Sequence, residues 1–137
     1  MNFKDKLIIA VDFDGTIVED AYPRIGKPQI FAFETLKKLQ DDGHRLILWT
    51  YRHSEKLDEA VIFCKNNGIE FYAVNSSFPG EKFAGDMSRK INADIFIDDR
   101  NIGGFKGWGV IYQMLTNSKY NINSEQKKKG FLSFFKR

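Results

Sequence analysis

The sequence LIIAVDFDGT, residues 7–16, is the strongest indication of the fold of this 137-residue chain. Residues 7–11 form a short apolar run rich in β-branched side chains, which is typical of a buried strand in a parallel sheet. The run ends on Asp12 and Asp14, whose spacing lets both carboxylates point the same way on an extended chain. Two like charges held that close repel each other, and a cation with oxygen ligands would relieve the repulsion. The stretch therefore predicts a strand that presents two carboxylates to one ligand.

Gly15 and Thr16 complete the turn after this strand. Gly15 lets the backbone turn sharply and approach a ligand closely, and the Thr16 hydroxyl can tie the turn together. We therefore expect both residues to contact a substrate. An Asp-Gly turn after a strand is also common in proteins without such a site, so the interpretation depends on the rest of the chain.

Strands and helices alternate along the remaining sequence. Further strands are predicted at residues 45–51, 69–74, 93–97 and 110–112, and helices at residues 29–42 and 54–67. This alternation indicates βαβ units and a parallel sheet. We expect an α/β, three-layer Rossmann-like fold with a mainly parallel five-stranded sheet.

The two ends of the chain differ in charge. Residues 1–115 hold 15 basic and 17 acidic side chains, whereas residues 116–137 hold six basic side chains and one acidic one. We expect one folded domain over 1–115 with no general bias toward nucleic acid. Residues 116–137 form a basic, aromatic C-terminal tail. Terminal segments are commonly mobile, but this composition also suits a membrane surface or the groove of a protein partner.

Composition also bears on the location of the protein. No apolar run approaches the roughly 20 residues that span a bilayer, and the amino terminus lacks the features of a secretory signal. The single cysteine cannot form an internal disulfide. Together these features favour the cytoplasm, and they leave a homo-oligomer open.

Polar side chains follow three of the predicted strands. Asp12 comes after the first strand, Thr50 lies at the end of the second, and Asp98 and Asp99 follow the fourth. Lys90 lies shortly before the fourth strand. Because ligands bind outside the carboxyl ends of the strands in open parallel sheets, we expect these side chains to share one site.

This order resembles the motif pattern of the haloacid dehalogenase (HAD) superfamily. That pattern is an Asp-x-Asp-x-Thr motif after the first strand, a hydrophobic strand ending in Thr or Ser, a Lys, and an acidic pair. The resemblance spans residues 7–112 and implies a Mg²⁺-dependent phosphatase that acts through an aspartyl-phosphate on a phosphorylated small molecule or macromolecule. The connections leave no room for a cap domain, so residues 1–115 look like a capless HAD-like catalytic domain.

The resemblance implies a catalytic role for four residues. Asp12 would be the nucleophile and Asp14 the general acid and base. Thr50 would hydrogen-bond the phosphoryl oxygens, and Lys90 would offset the charge of Asp12 and the phosphate. This chemistry needs cations, because a carboxylate that attacks a phosphate dianion meets strong charge repulsion.

The implied Mg²⁺ site draws on the four carboxylates Asp12, Asp14, Asp99 and Asp98. Asp99 would ligate the ion, and Asp98 would be a second ligand or act through water.

Three further cations each have two interpretations. Residues 17–28, rich in Pro and Gly, are predicted to form a loop or short hairpin over the mouth of the site. Arg24 and Lys27 on it would meet an anionic substrate or be solvated loop charges. Arg52 would clamp a substrate phosphate or carboxylate or form a salt bridge at the start of a helix.

Two other classes of protein fit part of the pattern. A phosphoacceptor signalling domain uses a similar set of residues, but receiver domains place the acidic pair first and the phosphoaccepting Asp on a later strand. A non-catalytic interaction domain would use the tail, and it predicts that Asp12 is dispensable.

Overall fold

The computed structural model describes residues 6–116, so the predicted tail lies outside the described residues from residue 117 onward. The elements in chain order are β1 (Ile8–Val11), α1 (Ala32–Asp41), β2 (Arg45–Leu48), α2 (Ser54–Asn66), β3 (Ala73–Val74), β4 (Ile95–Ile97) and α3 (Trp108–Thr116). The four strands form one parallel sheet in the order β3-β2-β1-β4. The predicted α/β class and the predicted parallel sheet are therefore confirmed.

One face of the sheet carries the main hydrophobic core. Strand alternation places Ile9 and Val11 on the same face as Leu46 and Leu48, which are their partners in β2. All three helices pack against this face, through Ala32, Leu36 and Leu39 of α1, Ala60 and Cys64 of α2, and Trp108 of α3. Burial in this core raises the pKa of the Cys64 thiol to about 12, which keeps the thiol protonated and unreactive.

The other face carries a smaller cluster of Ala10, Ile47, Ala73 and Ile91. Ile91 belongs to the connection between β3 and β4, residues 75–94, which contains no helix. Because β4 lies on the far side of β1 from β3, this connection has to cross the second face of the sheet. The described residues therefore supply helices to one face only, and an irregular segment replaces the third layer that we predicted.

The predicted fifth strand is wrong, because residues 110–112 lie inside α3. A run of three apolar residues is too short to separate strand from helix. Trp108, Ile111, Tyr112 and Leu115 recur at the helical period, and all four pack against the main core. That wider spacing, and not the short run, decided the local structure. None of the helices between residues 6 and 116 is long and apolar enough to cross a bilayer.

The segment between β1 and α1 holds the flap, residues 17–28. Val18 pairs with Pro28 in an antiparallel bridge, and the Glu19 N–H donates to the Lys27 carbonyl at 2.7 Å. The flap is therefore a short hairpin, one of the two forms that the sequence predicted. It leads from the end of β1 back toward the start of α1 and holds no helix of its own.

Candidate active site

All four strands end at the same edge of the sheet, and a polar side chain follows each of them. Asp12 follows β1 directly, and its N–H donates to the carbonyl of Ile97 at 2.9 Å. Thr50 follows β2 by two residues, Asn75 follows β3 directly, and Asp98 follows β4 directly. The parallel arrangement of the strands thus brings together side chains that lie far apart in the sequence.

Three carboxylates of this edge form a compact acidic cluster. One oxygen each from Asp12, Asp98 and Asp99 lies within 4.8 Å of the others. The Thr16 hydroxyl lies 2.9 Å from Asp12 Oδ2, to which it donates, and 3.4 Å from Asp99 Oδ1. Burial, together with the negative charge of Asp98 and Asp99, raises the pKa of Asp12 to about 8, although the Thr16 hydroxyl opposes that shift. The cluster is therefore a place where negative charge is concentrated and poorly solvated.

Gly15 is required by the approach of Asp99 to the turn. Its φ of 88° lies in the left-handed region, and a Cβ at this position would overlap the carboxylate of Asp99. The next residue fixes the turn to the core, since the indole N–H of Trp108 donates to the Thr16 carbonyl at 2.8 Å. The side chain of Thr16 is fully buried. Both residues of the predicted turn therefore position the acidic cluster.

Asp14 lies outside this cluster and is paired with Arg52. Arg52 Nε donates to Asp14 Oδ2 at 2.7 Å, and its Nη2 donates to Asp14 Oδ1 at 2.8 Å. Both carboxylate oxygens of Asp14 are thus engaged by one guanidinium, a bidentate pair with fixed geometry. The side chain of Asp14 is therefore separate from the three carboxylates that stand together, although the resemblance counted it among the metal ligands.

Asn75 is a site residue that the sequence analysis missed. Its Oδ1 accepts the N–H of Thr50 at 2.8 Å, and its Nδ2 lies 3.4 Å from the carbonyl of Arg52. Its φ of 50° is left-handed, a conformation that Asn tolerates better than most residues. The predicted third strand, residues 69–74, ends directly before Asn75, so the pattern of polar residues at strand ends could have identified Asn75 as well.

Among the described residues, neither Lys90 nor Arg24 forms an ion pair with the acidic cluster. Lys90 is exposed, and its ammonium lies 5.6 Å from the centroid of the Phe96 ring. Arg24 is an exposed flap residue whose carbonyl accepts a hydrogen bond from Arg52 Nη2 at 2.8 Å. Neither side chain is among those that line the cavity described next.

A cavity of about 720 Å³ opens above the strand ends. It is lined by the acidic residues Asp12, Asp14, Asp20 and Asp98, the aromatic residues Tyr22, Trp49 and Tyr51, and by Thr50 and Arg100. Arg100 is the cation of this lining, and its backbone N–H donates to Asp98 Oδ1 at 2.9 Å. Arg100 was not among the site residues predicted from the sequence, although it directly follows the acidic pair. A volume of this size is typical of small-molecule sites.

The fold and site together define a class: an α/β protein with an acidic, cavity-forming centre at the carboxyl edge of a parallel sheet. The chain is similar to a conserved protein from Bacteroides thetaiotaomicron of known structure, at 56% sequence identity and a TM-score of 0.78. The match covers 82% of this chain and 92% of the other. The chain therefore belongs to the same protein family as that Bacteroides protein. Its sequence matches no family model and no curated protein.

Proposed function

We propose that this protein is a HAD-like, Mg²⁺-dependent phosphatase that hydrolyses phosphomonoesters through an aspartyl-phosphate on Asp12. One observation carries the proposal: Asp12 stands with Asp98 and Asp99 in one acidic cluster, Asp12 and Asp98 line a cavity, and Asp14, two residues from Asp12, is held by Arg52 instead. A nucleophile beside a metal site and a separate proton carrier are what phosphoryl transfer from a monoester to a carboxylate requires.

The residues of the acidic cluster fit a Mg²⁺ ion. All three donors are carboxylate oxygens, the ligand type that Mg²⁺ prefers. Burial and the neighbouring carboxylates of Asp98 and Asp99 raise the pKa of Asp12, and a bound divalent cation would oppose that shift and favour the carboxylate form of Asp12. Asp12, Asp98 and Asp99 would hold the ion, which when bound neutralises charge on the phosphate and the nucleophile.

Thr50 is suited to bind a phosphoryl oxygen. Its Oγ1 accepts a hydrogen bond from the backbone N–H of Arg52 at 3.1 Å, and its own backbone N–H donates to Asn75 Oδ1. The hydroxyl proton of Thr50 is therefore available to donate into the cavity that the residue lines. This supports the role that the resemblance implied for Thr50.

The chain's own residues account for the proton and bond changes of the reaction. Asp12 attacks phosphorus as the bond to the leaving oxygen breaks, and Asp14, which must enter this step protonated, gives that oxygen its proton. A water molecule then attacks the phosphorus of the aspartyl-phosphate and loses a proton to Asp14. Inorganic phosphate leaves, and Asp12 is regenerated. Dividing the hydrolysis in this way replaces one difficult displacement with two easier ones.

Lys90 and Arg100 are both candidates for the cation that offsets the negative charge of the phosphate. Lys90 has this role by resemblance, but Arg100 lines the cavity and Lys90 stacks over Phe96. Comparing Lys90→Ala with Arg100→Ala, by their effect on inhibition by inorganic phosphate, separates the two candidates. We propose a phosphorylated small molecule or macromolecule as the substrate. The cytoplasmic location and the homo-oligomeric state remain predictions from the sequence.

Turnover of an aryl phosphate tests the proposal. Wild-type protein with Mg²⁺ should release many phosphates per chain, and EDTA should stop the release. Asp12→Asn should abolish turnover, whereas Asp86→Asn, a change at an exposed aspartate of the β3–β4 connection, should leave it intact. Retained activity in Asp12→Asn would refute the mechanism. A single phosphate retained per chain, with no turnover, would indicate the phosphoacceptor alternative.

A further inference from the structure

We infer that Arg52 is a positioning residue that holds the carboxylate of Asp14 and the flap as one unit, and that it does not bind the substrate. The inference rests on the proposed function where it concerns Asp14 as the proton carrier. Its geometric part stands on the contacts of Arg52 alone.

All five N–H groups of the Arg52 guanidinium have a partner. Nε and Nη2 donate to the two oxygens of Asp14, Nη2 also donates to the Arg24 carbonyl, and Nη1 donates to the carbonyls of Pro23 and Lys56 at 3.2 and 3.3 Å. A guanidinium has five such donors and no more. A substrate anion would therefore have to break one of these bonds to be bound.

The surroundings of Arg52 fix its position as firmly as its hydrogen bonds do. Its side chain is 0% exposed, and its guanidinium carbon lies 5.0 Å from the ring centroid of Phe13 and 5.1 Å from that of Tyr22. Phe13 is fully buried and lies between the two aspartates of the first motif. A buried charge is tolerated when it is paired and hydrogen-bonded, and Arg52 meets both conditions.

These contacts join three separate parts of the site. Asp14 belongs to the turn after β1, Pro23 and Arg24 belong to the flap, and Lys56 lies in the first turn of α2. Arg52 itself follows Thr50 by two residues. One side chain therefore couples the position of the proposed proton carrier to the position of the flap over the cavity.

Lysine cannot replace this arrangement. It carries the same charge, but its ammonium has three donors at a single point and cannot form the bidentate pair. Arg52→Lys therefore tests geometry while keeping the charge. The matched control is Arg45→Lys, because Arg45 is exposed, lies 4.8 Å from the ring centroid of Tyr72 and is at the opposite end of β2.

The first test uses the leaving group. A dinitrophenyl phosphate loses its leaving group without a proton, whereas an alkyl phosphate needs a general acid, whose contribution is about 10²–10⁴-fold. In single turnovers, which report only the transfer of the phosphoryl group to Asp12, Arg52→Lys should slow release of the alkyl alcohol by about 10²-fold and leave release of dinitrophenolate nearly unchanged. Asp14→Asn should show the same selectivity, and the double variant should lose little more than either single variant. Equal losses on both esters would mean a purely structural role and would overturn the inference.

The second test needs no activity and no variant. In wild-type protein, NMR should show separate, slowly exchanging resonances for the Arg52 Nη protons, because every one of them is bonded and buried. Averaged or rapidly exchanging resonances would overturn the inference. If wild-type protein hydrolysed neither ester, the proposed function would fail, while this measurement would still decide whether Arg52 is anchored.

The third test follows the flap. Amide hydrogen exchange in residues 21–27 should become faster by about tenfold in Arg52→Lys, because the carbonyls of Pro23 and Arg24 lose their donor. Arg45→Lys should leave these rates unchanged. Unchanged rates in Arg52→Lys would show that the flap is held by other contacts and would overturn the coupling.

Discussion

Replacing Asp12 by Asn should stabilise the metal-free protein, and increasingly so as the pH rises. The pKa of Asp12 is about 8 in the folded protein, against an ordinary value of 3.8. Between these two pH values the folded protein binds more protons than the unfolded chain does. Stability is therefore lost as the pH rises through this interval. Asn cannot ionise, so the variant escapes that loss.

The size of the effect follows from the same two pKa values. Each unit of difference between the two pKa values corresponds to about 1.4 kcal/mol. The interval from 3.8 to about 8 therefore gives an upper bound of about 6 kcal/mol for the loss of stability. Asp12 is only partly buried, and solvent and ions screen much of that energy. We expect the advantage of Asp12→Asn to grow by about 2 kcal/mol between roughly pH 5 and pH 9. The Thr16 hydroxyl can still donate to the amide oxygen of Asn.

Urea denaturation in EDTA measures this difference. The free energies of unfolding of wild type, Asp12→Asn and the exposed control Asp86→Asn are measured at roughly pH 5 and pH 9 and compared. The control should follow wild type, because its carboxylate is solvated. A constant difference between Asp12→Asn and wild type across the two pH values would refute the reasoning from a raised pKa of Asp12, which is caused first by burial and then by the charges of Asp98 and Asp99.

Adding Mg²⁺ should reduce the stability advantage of Asp12→Asn over wild type. An ion at about 100 times its Kd stabilises the folded state by about 2.7 kcal/mol. Wild type should gain this energy at the higher pH, and Asp12→Asn should gain less because it has lost one carboxylate of the cluster. An equal gain in both proteins would place the ion elsewhere.

Three other changes test separate parts of the site. Asp99→Asn should weaken Mg²⁺ binding by about tenfold. Asp98→Asn should weaken it less, because the carboxylate of Asp98 already accepts the Arg100 N–H. Titrating Mg²⁺ while following thermal stability measures both effects, and the opposite order would reverse the assignment of the pair. Arg24→Ala should raise KM for a large anionic substrate by up to about fivefold and leave KM for a small aryl phosphate unchanged. Steady-state kinetics measures both values, and equal losses of activity on the two substrates would place Arg24 in the catalytic machinery. Gly15→Ala should lower the free energy of unfolding by more than the roughly 1–3 kcal/mol of backbone strain, because its Cβ overlaps Asp99. Gly80→Ala, with a φ of 79° and open space around it, gives the strain alone, so equal losses in denaturation would remove the overlap from the argument.

The position of β1 and the polar residues at the strand ends could be predicted from the amino-acid sequence alone. The apolar run at residues 7–11 is rich in β-branched side chains and therefore typical of a strand covered on both faces, and its abrupt end on Asp12 needs no tertiary contact to be seen. The parallel sheet followed from the alternation of strand and helix patterns, because parallel neighbours require crossover connections. From that point, the meeting of Asp12, Thr50 and the acidic pair at one edge was a geometric consequence.

Local pattern was a weaker guide where a segment was short. Three apolar residues at 110–112 predicted a strand, but the residues that bury against the core recur at the helical period, and α3 is the result. In the same way, the third layer could not be judged from the sequence, since the connection over the second face contributes Ile91 to the buried cluster without forming a helix.

The partners of the charged residues became clear only in the folded chain. Arg52 had two equal interpretations, because sequence spacing does not say which carboxylate a long, flexible cation will reach. Packing against Phe13 and Tyr22 removes Arg52 from water, and a buried guanidinium must then satisfy its donors within the protein. Asp14, 38 residues away in the chain, and three backbone carbonyls provide the partners. Such pairings depend on distances in the folded chain, which local sequence patterns do not contain.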